Sequence, residues 1–368
     1  MEFIIKNKNT PSLSNLVYIY VNSKNLIRQK IKKYNLKKID LEKMTEQNIE
    51  EIIKNQLNRT LKETNFSTLG KLYQGKVRDN YIREDIRIII ATDRLSAFDR
   101  IITTIPFKGQ MLNQISAFWF NKTKNIVKNH IIEVPDPNVA VVHQCETIPV
   151  EFIIRAYLTG TAWRNYKDGK TTSGIMLPKG LKKNQKLEEI MVTPSTKAES
   201  GHDIYLPKEE LIKINMVNKD LFEQMEEASI KLFNFGQEFC KKNGLILVDT
   251  KYEFGLKEGE LFVIDEIHTQ DSSRFWIAET YEERFTKDNE PDILDKEIFR
   301  AWLMETYPDI FPNISPETEI PPISNDIKIE LAKRYMKSYQ KITGTEFQPE
   351  ISDVKERIIS NLKKAQYL

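Results

Sequence analysis

GLILVDTKYEFGLKEGELFVIDE, residues 244–266, sets two apolar runs on either side of the turn Lys257-Glu258-Gly259-Glu260. That pattern predicts a β-hairpin over 245–267. Side chains alternate along a strand, so Asp249, Lys251 and Glu253 share one face. Pairing brings Asp265 opposite or diagonal to Glu253, depending on register. Two facing carboxylates destabilise a hairpin unless a cation lies between them. Mg²⁺ takes one or two carboxylates and completes its shell with water and nucleotide phosphates, and a lysine beside it suits phosphate oxygens. The hairpin therefore reads as a nucleotide–metal site. The alternative, a solvated charged face, fits less well with flanking residues that read as an inner strand.

Upstream, Ile49, Ile52, Ile53, Leu57 and Leu61 recur at helical spacing, with Thr45 and Asn48 as caps; one amphipathic helix over 45–62 is expected. Strands are expected over 70–92. A helix follows Gly109, with Leu112, Ile115, Phe118, Trp119 and Ile126 on one face, and then a strand from Val150 to Leu158. A polar loop at 193–203, a long helix at about 219–242 and C-terminal helices at about 295–310 and 325–342 complete the pattern. Strands and helices alternate without a strict βαβ rhythm, which gives an α+β class with a mostly antiparallel sheet.

The chain has 368 residues, enough for two or three units. With 55 Lys plus Arg against 53 Asp plus Glu, it has no bulk charge for gripping nucleic acid. No apolar run is long enough to span a membrane. Two cysteines, Cys145 and Cys240, fit a reducing compartment, the cytoplasm, better than a disulfide scaffold. Residues 1–44 form a Lys- and Asn-rich extension, read as a basic targeting leader or as an added surface segment. The histidines and cysteines show no zinc spacing beyond His143-x-Cys145, and no G-x-S-x-G elbow is present.

Other segments carry chemistry less specifically. In 150–163, Glu151 and Arg155 lie on one face of an extended run, and Thr159-Gly160-Thr161 opens a short helix. A bare helix N-terminus beside an arginine suits a phosphate, although a plain N-cap with a structural salt bridge explains this segment more simply. Gly75-Lys76-Val77-Arg78 can fold over phosphates or be a routine turn; it matches neither the Walker nor the kinase glycine pattern. ATDRLSAFD (91–99) crowds polar groups at a strand end, which makes either local turns or a ligand rim. Asp271-Ser272-Ser273-Arg274 offers hydroxyls and a guanidinium to an anion.

YQGKVRDNY (73–81), ATDRLSAFD (91–99), KGQMLNQIS (108–116), IPVEFIIRAYLTGTAW (148–163), TPSTKAESGHD (193–203), VDTKYEFG (248–255) and DEIHTQDSSRFW (265–276) fall in the order and spacing of SAICAR synthetase. The chain resembles that family over about residues 55–345. The resemblance implies an antiparallel-sheet ATP-binding lobe, an ATP-grasp-like second domain and C-terminal helices, divided here as 1–44, 45–148, 149–285 and 286–368. It implies a carbon–nitrogen ligase of purine biosynthesis that uses ATP as co-substrate and Mg²⁺ as cofactor. Its substrates would be ATP, L-aspartate and carboxyaminoimidazole ribotide, with neither nucleic acid nor membrane as partner; the oligomeric state is left open.

The resemblance also implies roles. Gly75, Lys76 and Arg78 match the loop over the ATP phosphates, His143 the hinge beside adenine, and Lys251 a nucleotide-contacting lysine. Glu253 and Asp265 match metal ligands, with Asp203 at a second metal. Lys197, Asp203 and Lys251 fall in the catalytic group. Arg155, Thr161 and Arg274 match a cradle for the ribotide phosphate, with Glu151 in the same substrate group. Asp93, Arg94 and Ser96 would face the substrate cleft. Gln270 stands where proline is common in relatives. The competing readings are a carboxylate–amine ligase with another acceptor, and a nucleotide-binding protein without activity.

Overall fold

The structure is a computed structural model, and it describes residues 38–197, 204–315 and 317–368, with side chains from residue 47 onward. Most of the expected extension, and Asp203, lie outside the described residues.

Strands β1 (Lys71–Gln74), β2 (Arg78–Ile82) and β3 (Ile86–Ala91) lead into a ribbon of β4 (Arg94–Ala97) and β5 (Arg100–Thr104). After the helix Lys108–Thr123 come β6 (Lys128–Asn129), β7 (Ile131–Asp136), β8 (Val139–His143) and the long β9 (Glu146–Tyr157). Then follow β10 (Lys186–Thr196), β11 (Leu245–Lys257), β12 (Glu260–Ile264) and β13 (Ser273–Ile277). One sheet has the order β1-β2-β3-β8-β7; the other runs β10-β9-β11-β12-β6, with β13 also on β11. All pairs are antiparallel except β12 with β6. The α+β reading with antiparallel sheets holds.

The long helix Lys219–Lys242 starts where the Asn218 side chain accepts the Leu221 N–H at 2.8 Å. Phe222, Met225, Leu232, Phe233 and Cys240 recur on its buried face and meet Phe152, Leu247 and Phe254 of the second sheet. At Gly236 the sheet side comes so close that an added Cβ would lie 2.4 Å from His268 Cε1. The helix Val354–Lys364 covers the first sheet, where Val354, Ile358 and Leu362 join Tyr81, Ile88, Ile90, Val139 and Val141. Arg357 clamps it there through Asp136, at 3.0 and 3.2 Å. A third cluster, with Leu95, Ile105, Phe107, Phe299 and Tyr335, packs the helices Glu297–Thr306 and Asn325–Thr343 against the ribbon.

Several boundaries differ from expectation. The first described helix is Lys38–Gln56, so it begins ahead of Thr45; a short 3₁₀ turn, Leu57–Arg59, ends the segment. The helix after Phe107 stops at Thr123, which leaves Ile126 beyond it. Residues 193–196, expected in a loop, end β10, because they pair with Ile153, Phe152, Glu151 and Val150.

Two buried histidines report on pH. His130 and His268 are pushed down to about 3 by burial, so both rings are neutral in the folded protein. Unfolded, each takes up a proton below pH about 6.5. Their stabilisation is present above that value and is lost as pH falls toward 3. Urea unfolding at pH 5 is expected to give a stability lower by about 2 kcal/mol per histidine than at pH 7. His268→Gln should remove about half of that difference; an unchanged difference would exclude His268 as a source.

Candidate functional site

β12 and β13 share one edge of β11, and the loop between them, residues 265–272, lies beside Lys251, whose N–H donates to Ser272 O at 3.2 Å. On the opposite edge, β9 sets Glu151 against Glu253, Ile153 against Lys251, and Arg155 against Asp249. The period of two puts all six side chains on one face. The result is a charged stripe of Glu151, Lys251, Glu253, Asp249 and Arg155, all buried except the half-buried Lys251.

Directly opposed glutamates repel. Here the Lys251 ammonium donates to Glu151 Oε1 at 2.8 Å and also to Glu253, while Lys197 binds the other oxygen of Glu253. The two acids therefore diverge. Burial, with Glu253 adding to it, pushes the Glu151 carboxyl up to about 7. Burial also acts on Glu253, but Lys251 and Lys197 outweigh it and hold that carboxyl well below the usual range. Lys251 is desolvated too, yet Glu253, Glu151 and Asp265 keep it firmly protonated.

The first sheet supplies the other wall. Gly75 N–H donates to Arg78 O at 2.8 Å, closing a tight turn. The Arg78 guanidinium reaches across to Asp265 at 2.6 Å and Glu266 at 3.4 Å. Lys76 points outward and binds Asp99. Between the walls lies a cleft of about 760 Å³. Gly75, Lys76 and Arg78 line it with Lys251, Glu253 and Asp265; Ile82, Ile89, Val142, His143 and Ile264 add an apolar end. His143 Nδ1 lies 3.3 Å from Lys257 Nζ. Burial and that lysine lower the pKa of the imidazole.

A second cavity, of about 300 Å³, opens at the other end of the stripe and includes Arg155, Thr161, Arg274 and Arg300. Asp249 Oδ2 accepts from Arg155 at 3.3 Å and from Arg274 at 2.6 Å, and Tyr205 Oη accepts from Arg155 at 3.0 Å. Gly160, at φ +58°, opens the helix Gly160–Lys167; a Cβ there would lie 2.9 Å from Arg274. Thr159 makes no side-chain cap bond, and Thr161 Oγ1 accepts from Arg164 at 2.7 Å. Lys251, Asp271, Ser272 and Lys296 line both cavities.

Two expected cleft residues are elsewhere. Asp93 is buried, accepting the Gly109 N–H at 3.0 Å and the Leu61 N–H at 2.8 Å, and burial pushes it up to about 6. Arg94 gives its guanidinium to Asp79 at 2.7 Å and to the carbonyls of Gly75, Lys76 and Lys62 at 2.9, 2.9 and 2.6 Å. Arg94 braces the Gly75 turn from inside the protein, and Asp93 ties Leu61 to the start of the helix Lys108–Thr123, because a strand-end carboxylate and guanidinium here find unpaired backbone groups to satisfy. Ser96 does line the cleft. Sequence reasoning missed Lys296, Glu297 and Arg300. The available signal was Asp295-Lys296-Glu297 opening a helix: Asp295 accepts the N–H groups of Glu297 at 2.9 Å and of Phe275 at 2.8 Å.

Among the described residues, no group of three or more His, Cys, Asp and Glu side chains is gathered to hold a metal alone, and no helix is long and apolar enough to cross a membrane. A carboxylate-lined cleft that shares one wall with an arginine-rich cavity is the lining of a protein that binds small anionic molecules.

A model of the SAICAR synthetase family matches residues 71–313. Over 303 residues the chain is 41% identical to the phosphoribosylaminoimidazole-succinocarboxamide synthase of Legionella pneumophila (strain Paris), covering 80% of this chain and 95% of the other. The chloroplastic synthase of Arabidopsis thaliana is 42% identical over 327 residues, covering 85% and 78%. Among solved structures, SAICAR synthase from Saccharomyces cerevisiae complexed with SAICAR matches with a TM-score of 0.67 at 30% identity, covering 78% of this chain and 100% of that one. The chain belongs to the SAICAR synthetase family, and it is an ATP-dependent ligase of purine biosynthesis.

Proposed function

We propose that the larger cleft binds ATP, that the smaller cavity binds the phosphate of carboxyaminoimidazole ribotide, and that L-aspartate is joined to the ribotide carboxylate to give SAICAR, ADP and phosphate. The observation that carries this reading is the stripe across β9 and β11, which runs unbroken from Glu253 to Arg155 and so links the two cavities. In this reading residues 45–148 form the ATP-binding lobe, 149–285 an ATP-grasp-like domain and 286–368 a helical part, after an extension over 1–44. The enzyme works in the cytoplasm.

A carboxylate is a poor electrophile. Transfer of the γ-phosphoryl group to a ribotide carboxylate oxygen breaks the bond to ADP and makes an acyl phosphate. The L-aspartate ammonium gives up a proton to phosphate or to Asp203. The freed amine nitrogen attacks the acyl carbon, phosphate leaves with the bonding pair, and the second nitrogen proton passes to it. Gly75, Lys76 and Arg78 cover the triphosphate, with His143 at the adenine end. Lys251 and Lys197 counter the charge that develops during transfer. Arg155, Arg274 and Thr161 hold the ribotide phosphate, and Glu151 keeps Lys251 directed along the stripe. Asp203 belongs to the same group by resemblance.

Glu253 and Asp265 suit Mg²⁺. Both offer hard oxygens, each already faces a cation (Lys251 and Lys197 for one, Arg78 for the other), and two carboxylates are what Mg²⁺ takes alongside phosphates. Bound there, the ion supplies charge neutralisation for the transferred group. ADP release from ATP is expected to require the ribotide, L-aspartate and Mg²⁺ together, to stop with EDTA and to resume with excess Mg²⁺. Release that ignores the ribotide would exclude the reading, and another amino acid outperforming aspartate would make this a ligase with a different acceptor pocket.

A further inference from the structure

A third cavity, of about 390 Å³, lies apart from the site: no residue that lines it lines either of the other two. It opens where the turn Leu57–Arg59, the β4–β5 ribbon and the helix Asn325–Thr343 meet. Its charged lining is Lys62, Arg94 and Lys328, and no Asp or Glu among the described residues lines it. In a chain with 53 acids against 55 bases, a concavity of one sign calls for a counter-charge from outside.

Arg94 is spent on the protein, as described above, but the two lysines are not. Among the described residues, neither ammonium makes an ion pair or a hydrogen bond. Lys62 is exposed and Lys328 half-buried. Lys328 gains nothing from its own helix, because it lies in the opening turn, the positive end of the dipole. Asp326, in the same turn, is exposed and does not line the cavity. The Thr60 and Thr104 hydroxyls, also in the lining, are 2.8 Å apart. One donates its proton to the other, which keeps its own to give to a ligand. Leu57 and Ile101 add an apolar rim, and Ile101 is 46% exposed.

The same wall is the back of the Gly75 turn. Arg94 donates to Lys62 O at 2.6 Å and to the carbonyls of Gly75 and Lys76, both at 2.9 Å, and it pairs across the ribbon with Thr104. Lys62 and Thr104 therefore flank the guanidinium that holds the turn.

We propose that this cavity is a further anion site, which takes a phosphate monoester with a small apolar body and is coupled through Arg94 to the Gly75 turn. Two ammoniums and a hydroxyl proton meet the phosphate, the apolar rim meets the body, and the volume suits a small organic ligand. An occupant that fixes Lys62 and Thr104 stiffens the brace on both sides of Arg94, so ATP and the occupant bind each other's form of the protein more tightly. The site stands independently of the assignment of the other two cavities; its coupling to ATP rests on that assignment.

Phenyl phosphate is the probe, titrated calorimetrically into the full chain with ADP, Mg²⁺ and SAICAR at saturation to fill the other cavities. Lys62→Met and Lys328→Met keep the apolar stems, and without the probe both should retain kcat and KM values within about 2-fold of wild type. Phenyl phosphate is expected to bind wild type, about 5-fold or more weakly to each single variant and more than 10-fold more weakly to the double variant. Inorganic phosphate should bind wild type about 5-fold more weakly than phenyl phosphate, for want of the apolar contact. In turnover assays, saturating phenyl phosphate should lower the ATP KM of wild type about 3-fold relative to its effect on the double variant. No binding to wild type, or equal binding to the double variant, would overturn the site. Equal affinity for inorganic phosphate would overturn the ligand class, and an equal ATP KM in both proteins the coupling. Failure of the ATP cleft assignment has a different signature: undiminished turnover in Glu253→Gln.

Discussion

Glu253→Gln is expected to lower ligation by about a thousand-fold or more while the protein stays folded. The change keeps shape and volume but removes the charge that Lys251 and Lys197 both use. It also removes one of the two carboxylates proposed for Mg²⁺, leaving a neutral amide. Lys251 retains Glu151 at 2.8 Å, and Lys197, which loses its carboxylate partner, is partly exposed to water, so thermal unfolding should change by only a few degrees. ADP release and the melting temperature, measured on the same preparation, separate the two effects. Turnover near that of wild type would remove the metal assignment.

Arg155→Ala is expected to raise the ribotide KM by about 10- to 100-fold, the range of lost charge-assisted hydrogen bonds, with a smaller change in kcat. The cost to stability is moderated because Asp249 keeps Arg274 at 2.6 Å. The ATP KM should hold, since Arg155 does not line the larger cleft. An unchanged ribotide KM would mean that the second cavity binds something else.

The hairpin was legible because a period of two is a local signal: Asp249, Lys251 and Glu253 had to share a face. Asp265 was not placed by that signal: Glu253 pairs with Ile264, so alternation would turn Asp265 to the opposite face, and it lines the cleft because β12 ends at Ile264 and Asp265 takes a φ of +69°. What the alternation could not give was the partner strand. Placing Glu151 against Glu253 depends on how β9 docks beside β11, a contact between residues about a hundred positions apart. The same limit explains Asp93 and Arg94. Polar residues at a strand end look alike whether they face a ligand or tie down neighbouring backbone, and only the tertiary positions of Leu61 and Gly109 (for Asp93) and of Gly75 (for Arg94) decide. Lys296 and Arg300 were hidden for another reason: charges in the first turns of an amphipathic helix are ordinary, and nothing local marks which way they point. The α+β class needed none of this, because it follows from element order alone.

The cover that Val354, Ile358 and Leu362 provide for the first sheet bears on how the molecule is made. Strands β1 to β3 emerge from the ribosome more than two hundred residues before the helix that seals them. During that interval Ile88, Ile90, Val139 and Val141 have no native lid, so nascent chains should depend on chaperones there, and proteolytic fragments lacking the helix should aggregate rather than persist as a separate nucleotide module.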